Sequence, residues 1–292
     1  MGILVWGGLT FWVVIFHRKK KNSPEFPRQT AYNVPLELVY TAAPFVAVCV
    51  LFYFTVVVQN YVLEKEDNPN VVVDVTGYQW NWKFGYRTID LGDGTAKYDG
   101  TDYEAQELLL SLSALSPRVR STRRSRRSTG APVEDLSYLH YDKIETIGTS
   151  NEVPVLVLPT GKRIEFELAS SDVIHSFWVP EFLFKRDADP NPRANNSDPV
   201  FQISEIEREG AFVGRCAEMC GTYHAMMNFE VRAVSPEKFA QYIELRKPTT
   251  EGGQGLSNAE ALEAIGESPV ATSTTPFKTV RTDRSASGVA GE

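Results

Sequence analysis

The chain has 292 residues, a net charge of −7 and only three cysteines. The mild acidic balance, with its basic residues gathered in local runs, excludes nucleic acid as a partner, and three cysteines are too few for a disulfide framework. The length suffices for one membrane-anchoring region and one folded domain of ordinary size.

Gly2 to Phe16 is uncharged but spans only 15 residues. As a helix that is about 22 Å at ~1.5 Å per residue, short of a ~30 Å hydrocarbon core. A secretory signal would place its charges before the apolar core, whereas His17-Arg18-Lys19-Lys20-Lys21 follows it. Residues 1–16 therefore read as a first transmembrane helix whose beginning is missing from this chain. Residues 17–34 form a basic loop that the positive-inside rule assigns to the cytoplasm. Residues 35–63 read as the second transmembrane helix, since the 26 residues from Leu38 to Leu63 carry no charge and can cross a lipid bilayer with some tilt. Pro44 should kink that helix or end its first turn, and Cys49 reads as a small apolar residue facing lipid or a helix. Glu37 stands at the inner end, where the positive end of the helix dipole favours it.

Everything after Glu64 then lies on the extracytoplasmic side, with a folded domain over residues 70–246. Val71-Val72-Val73-Asp74-Val75 is a β-branched run that predicts a strand. The aromatic stretch Gly77-Tyr78-Gln79-Trp80-Asn81-Trp82-Lys83-Phe84-Gly85-Tyr86 follows. From about 96 to 149 the pattern breaks, as in an insertion, with a short helix possible over Leu108 to Leu115. Arg118, Arg120, Arg123, Arg124, Arg126 and Arg127 crowd a Ser-rich run there, which reads as a flexible arm suited to anionic headgroups or an acidic partner. Strands resume at Val153 to Leu158 and Arg163 to Leu168, the latter leading into a loop that carries His175. Phe201 to Ile206, Gly210 to Gly214 and Asn228 to Val234 read as the last strands. Ser235-Pro236 caps a helix ending near Lys247. Residues 247–292 are Gly-, Ser-, Thr- and Pro-rich and read as a flexible tail with one short helical pattern at Asn258 to Ile265.

The densest chemical signal is Cys216-Ala-Glu-Met-Cys220-Gly-Thr-Tyr-His224-Ala-Met-Met227, with spacing C-x3-C-x3-H-x2-M. Thiolate and thioether sulfur with neutral imidazole suit a soft metal, copper above all. Two cysteines four apart also permit a disulfide, and two Cys with two His permit tetrahedral zinc. Neither needs the thioether of Met227, although Met is often core filler.

At these residues the sequence resembles subunit II of haem–copper cytochrome c oxidases, of an actinobacterial aa3 type. The resemblance covers most of residues 1–95 and 150–246. It implies a membrane-anchored all-β chain, with two transmembrane helices followed by an extracytoplasmic cupredoxin-like Greek-key β-sandwich. It implies two copper ions, the CuA centre, bridged by Cys216 and Cys220. His175 and His224 would cap one copper each, Met227 would be a weak ligand, and Glu218 would offer its backbone carbonyl. The Glu218 carboxylate would also reach a magnesium or manganese ion at the boundary with the catalytic subunit. Trp80 would receive electrons from cytochrome c, with Trp82 and Tyr78 as packing neighbours, and Glu37 would stand at the entrance of a proton path. Asp172 reads as either a support for His175 or part of an acidic docking face. Lys185 and Asp187 match a family Lys-x-Asp element, while Pro190-Asn191-Pro192-Arg193 departs from the family's Pro-Gly turn.

The resemblance thus implies an electron-receiving subunit of a proton-pumping oxidase in a bacterial plasma membrane. Its partners would be the haem–copper subunit I, other oxidase subunits and cytochrome c, soluble or membrane-bound. No Cys-x-x-Cys-His occurs, so no haem is expected in this chain. Three rivals differ at identifiable residues. A quinol oxidase subunit II lacks the copper ligands, a nitrous oxide reductase lacks paired membrane spans, and a copper-delivery protein needs neither the aromatic stretch nor Glu37.

Overall fold

The computed structural model describes residues 2–26, 29, 31–92, 94, 96–115, 136–249 and 253–276. The arginine run 118–127 and the end of the tail lie outside them. The chain divides into two compact units, Met1–Val62 and Leu63–Glu292.

The first unit holds α1 (Gly2–Phe16) and α2 (Val34–Val62). Of these, α2 is long and apolar enough to cross a membrane, and α1 is a shorter apolar helix. Pro44 is accommodated inside α2 rather than ending it. Asn33 begins α2, its side chain accepting from Leu36 N, while Glu37 Oε1 accepts from Asn33 N at 2.8 Å.

The second unit runs β1 (Val71–Tyr78), β2 (Asn81–Asp90), β3 (Lys97–Asp99), α3 (Tyr103–Leu115), β4 (Glu145–Ile147), β5 (Val155–Pro159), β6 (Ile164–Ser170), β7 (His175–Val179), β8 (Phe184–Ala188), α4 (Pro192–Asn195), β9 (Val200–Ile203), β10 (Gly210–Cys216), β11 (Asn228–Val234), α5 (Pro236–Arg246) and α6 (Asn258–Ala264). One sheet has the order β3-β2-β1-β6-β9, with β4 also on β2, and the other has the order β5-β11-β10-β7-β8. The aromatic stretch is thus two strands joined at Gln79-Trp80, paired antiparallel from Tyr78↔Asn81 outward.

Alternation explains the core. Val71, Val73 and Val75 of β1, Trp82, Phe84 and Tyr86 of β2, and Ile164, Phe166 and Leu168 of β6 meet Phe177, Phe212, Phe229 and Val231 of the other sheet in one cluster. Each large side chain buried this fully stabilises by about 1.5–3 kcal/mol. Tyr86 crosses between the sheets, donating to Val157 O at 2.7 Å and accepting from Val157 N at 3.1 Å.

The other face of β1 is buried too, because the inserted segment folds over it. Asp102 caps α3 by accepting from Ala105 N at 3.0 Å, so this helix starts five residues before the sequence suggests. Tyr138 and Leu139 pack on Ala169, and Tyr138 donates to Ser170 O at 2.6 Å. Beneath them Arg87 forks onto Asp74 and reaches Glu167 at 2.7 Å, with His140 on Glu167 at 3.3 Å. Asp74, His140 and Glu167 bring donor atoms within 4.8 Å of one another, but Arg87 already supplies the cation. The Asp142 carboxylate is buried there without a hydrogen-bond partner among the described residues, above Gly85, where a Cβ would stand 2.0 Å from it.

The segment read as a flexible tail is packed as far as it is described. Ala261, Leu262 and Ile265 join the core, Tyr242 donates to Asn258 at 2.6 Å, and a Ser257/Glu260 capping box starts α6. Farther on, the buried Glu230 accepts from Thr272 N and Ser273 N at 2.6 Å each, and its ion-pair partner Arg232 donates to Ser268 O and Val270 O. The Pro190-Asn191-Pro192-Arg193 departure is α4, with Asn191 at φ 57 accepting from Ala194 N.

Burial and the adjacent Asp74 push the Asp142 carboxyl up to about 8. In the unfolded chain it titrates in the ordinary carboxylate range, so between that range and pH 8 the folded state binds the extra proton. The stability Asp142 contributes is present at acid pH and is lost as pH rises toward 8. Denaturant unfolding of the chain in detergent, followed by tryptophan fluorescence, is expected to show this decline in the wild type. Asp142→Asn should flatten it, and an equal slope in the variant would refute the assignment.

Candidate metal centre

The loop between β10 and β11 is closed at its base. Cys216 N donates to Met227 O at 3.0 Å and Arg215 pairs with Asn228, so Cys216 and Met227 are fixed by strand register. A 3-10 turn over His224–Met226 brings the imidazole back toward the cysteines. His175 arrives differently from the sequence reading, as the first residue of β7 rather than within a loop. Pairing of Phe177 with Cys216, and Ala217 N donating to Ser176 O at 3.0 Å, set β7 beside the cysteine strand.

The donors converge. The two sulfurs of Cys216 and Cys220 are 3.8 Å apart. His175 Nδ1 lies 3.9 Å from Cys216 Sγ, and His224 Nδ1 lies 3.6 Å from Cys220 Sγ. Met227 Sδ is 3.8 Å from Cys220 Sγ, and Glu218 O is 3.2 Å from Cys216 Sγ. His175, Cys216, Cys220 and Met227 are buried, while the Glu218 carboxylate is exposed.

Charge at the two thiols is strongly coupled. Burial opposes the Cys216 thiolate, but the imidazole of His175 and backbone contacts at Glu218 and Ser176 outweigh it and bring Cys216 down to about 7. Burial, then the neighbouring Cys216 charge, push Cys220 up to about 12. Ionisation of one thiol thus opposes ionisation of the other. A soft cation between the sulfurs removes that repulsion, and the donor set suits copper, with zinc less well served by a thioether. Cys216 and Cys220 are both free, so the disulfide is not formed.

Trp80 sits half-buried in the turn between β1 and β2. Its indole N–H donates to Cys220 O at 3.2 Å, and Gln79 Nε2 donates to the same oxygen at 2.7 Å. Tyr223 meets the Trp80 ring edge-on at 5.0 Å between centroids. Trp82 points into the core, where it packs edge-on against His175 at 6.0 Å, and its indole nitrogen is 3.4 Å from Met227 O. Tyr78 donates to Gly148 O. Lys185 and Asp187 lie on β8, 3.8 Å apart and half-exposed. Glu37 belongs to the first unit, in the opening turn of α2.

Sequence reasoning missed Gly77 and Gln79. A Cβ on Gly77 would stand 2.8 Å from His175 Cδ2, so the imidazole seat exists only because residue 77 has no side chain. The glycine interrupting an otherwise β-branched and aromatic strand was the available signal.

Residues 132–234 match the family model described as cytochrome c oxidase subunit II, periplasmic domain. A probable cytochrome c oxidase subunit 2 of Nocardia farcinica is 65% identical over 297 residues, covering 100% of this chain and 77% of that protein. The cytochrome c oxidase subunit 2 of Mycobacterium tuberculosis is 55% identical over 286 residues, covering 96% of this chain and 75% of that protein. Among solved structures, the periplasmic domain of subunit II of the Bradyrhizobium japonicum cytochrome oxidase aligns with a TM-score of 0.34 and 22% identity, over 61% of this chain and 93% of that one.

Gly77→Ala is expected to displace His175 and weaken copper binding to the folded chain by about 10-fold to 100-fold, the usual effect of disturbing the support of a ligand. Competition against a copper chelator measures it, and unchanged affinity would show that the seat tolerates a methyl group.

Proposed function

The chain belongs to the subunit II family of cytochrome c oxidases, and from that premise we propose that it is the electron-receiving subunit of the complex. It accepts electrons from cytochrome c at a binuclear CuA centre and passes them to the haem–copper subunit, which reduces O2 to water with proton pumping. The observation that carries this reading is the shell of His175, His224 and Met227 donors, each 3.6–3.9 Å from one of two thiols that are themselves 3.8 Å apart.

When bound, the copper pair supplies a one-electron couple whose charge change is spread over two metals. The chain's own residues do the rest. Cys216, Cys220, His175 and His224 would hold the pair, with Met227 as a weak ligand and the Glu218 carbonyl as a further donor. The exposed Glu218 carboxylate would be free to reach a magnesium or manganese ion shared with subunit I. Burial of His175, Cys216, Cys220 and Met227 limits water at the centre, and the Trp80 indole hydrogen bond to Cys220 O gives an electron arriving at Trp80 a short bonded route to that cysteine. This chain holds no haem, and the oxygen-reducing site belongs to the partner.

In this reading both α1 and α2 cross the bacterial plasma membrane, with residues 17–34 inside and the domain outside, where its two sheets form the Greek-key sandwich. Glu37 opens a proton path into the catalytic subunit from the first turn of α2.

Trp80→Ala in the intact oxidase is expected to retain copper while cytochrome c-driven oxygen consumption falls by roughly tenfold or more, a barrier increase of at least ~1.4 kcal/mol. Copper content and oxygen uptake on the same preparation test it. Unchanged turnover would remove Trp80 from the route.

A further inference from the structure

Asp172 makes more contacts than a free surface carboxylate would. Its Oδ1 lies 2.8 Å from His175 Nε2 and accepts from Val173 N at 2.6 Å and Ser170 Oγ at 3.4 Å. Its Oδ2 accepts from Gln79 N at 2.6 Å. A carboxylate only accepts, so Nε2 of His175 carries the proton and Nδ1 presents its lone pair toward Cys216.

The same carboxylate also joins pieces of chain that are far apart in sequence. Through His175 it holds the start of β7. Through Gln79 N it holds the turn between β1 and β2, and from that turn Gln79 Nε2 and the Trp80 indole both donate to Cys220 O. Ser171 N donating to Gly77 O at 3.0 Å ties the same two segments a second time. The backbone of the cysteine loop, the Trp80 turn and the buried imidazole are therefore linked through one side chain.

We infer that Asp172 is a positioning residue that orients His175 for the metal and locks the Trp80 turn onto the copper loops, rather than a charge held out for docking. The inference rests on the copper reading above. A carboxylate on the far nitrogen strengthens an imidazole ligand and favours the oxidised metal, so its loss should raise the reduction potential.

The test uses the intact oxidase carrying Asp172→Asn and Asp172→Ala, with assembly checked by haem content. Both variants are expected to show a changed copper hyperfine pattern and an upward shift in reduction potential, larger in Ala than in Asn. The KM for cytochrome c and its salt dependence should stay near wild type while kcat falls. Wild-type hyperfine pattern and potential in both variants would overturn the inference, whatever happens to KM. A docking charge gives that result together with a raised KM and a weaker salt dependence. Absence of a copper-pair signal from the wild-type oxidase would instead remove the reading on which the inference stands.

Discussion

Two buried thiols 3.8 Å apart are the constraint around which the extracytoplasmic domain is organised. Like charges at that distance, away from water, resist a second ionisation, and burial together with the Cys216 charge pushes the Cys220 thiol up. Without a cation the arrangement carries a proton it does not need. With one, the repulsion becomes attraction to a shared centre. The scaffold holds the sulfurs in place through covalent neighbours on β10, register with β7 and β11, and two hydrogen bonds to Cys220 O from the Trp80 turn. Such fixed surroundings keep rearrangement small when an electron arrives.

The rest of the domain keeps those strands from moving. Phe177 and Phe229 stack at 4.7 Å directly behind the centre, and Trp82 bridges them to His175. On the far side of the first sheet the inserted segment helps bury Asp74 and half-covers Arg87, so that β1 is covered on both faces. The C-terminal segment straps β11 through Glu230 and Arg232, the strand that follows Met227. Both additions brace strands that lead to the ligands.

The cluster of candidate donors was legible because most of it is local: the side chains of Cys216, Cys220, His224 and Met227 and the carbonyl of Glu218 fall within one stretch of sequence. Asn228–Val234 and the Ser235-Pro236 start of α5 were legible for the same local reason, alternation and capping. The resemblance singled out Trp80 from Trp82, but their surroundings were not legible: Trp80 lies in the turn and donates to Cys220 O, while Trp82 lies in the core. The tail misled by composition, since Gly, Ser, Thr and Pro conceal how few apolar residues, Leu262 and Ile265 among them, suffice to dock a short helix on Tyr242 and Ile243. Asp172 was ambiguous because a carboxylate three residues before a histidine reads equally as support or as surface charge until its donors are seen.

The most direct measurement is copper stoichiometry with low-temperature EPR on the purified chain in detergent, reconstituted with copper. The account requires two coppers per chain and the hyperfine pattern of one electron shared equally between two copper nuclei. A single copper with the pattern of one nucleus, or zinc in its place with no signal, would contradict it.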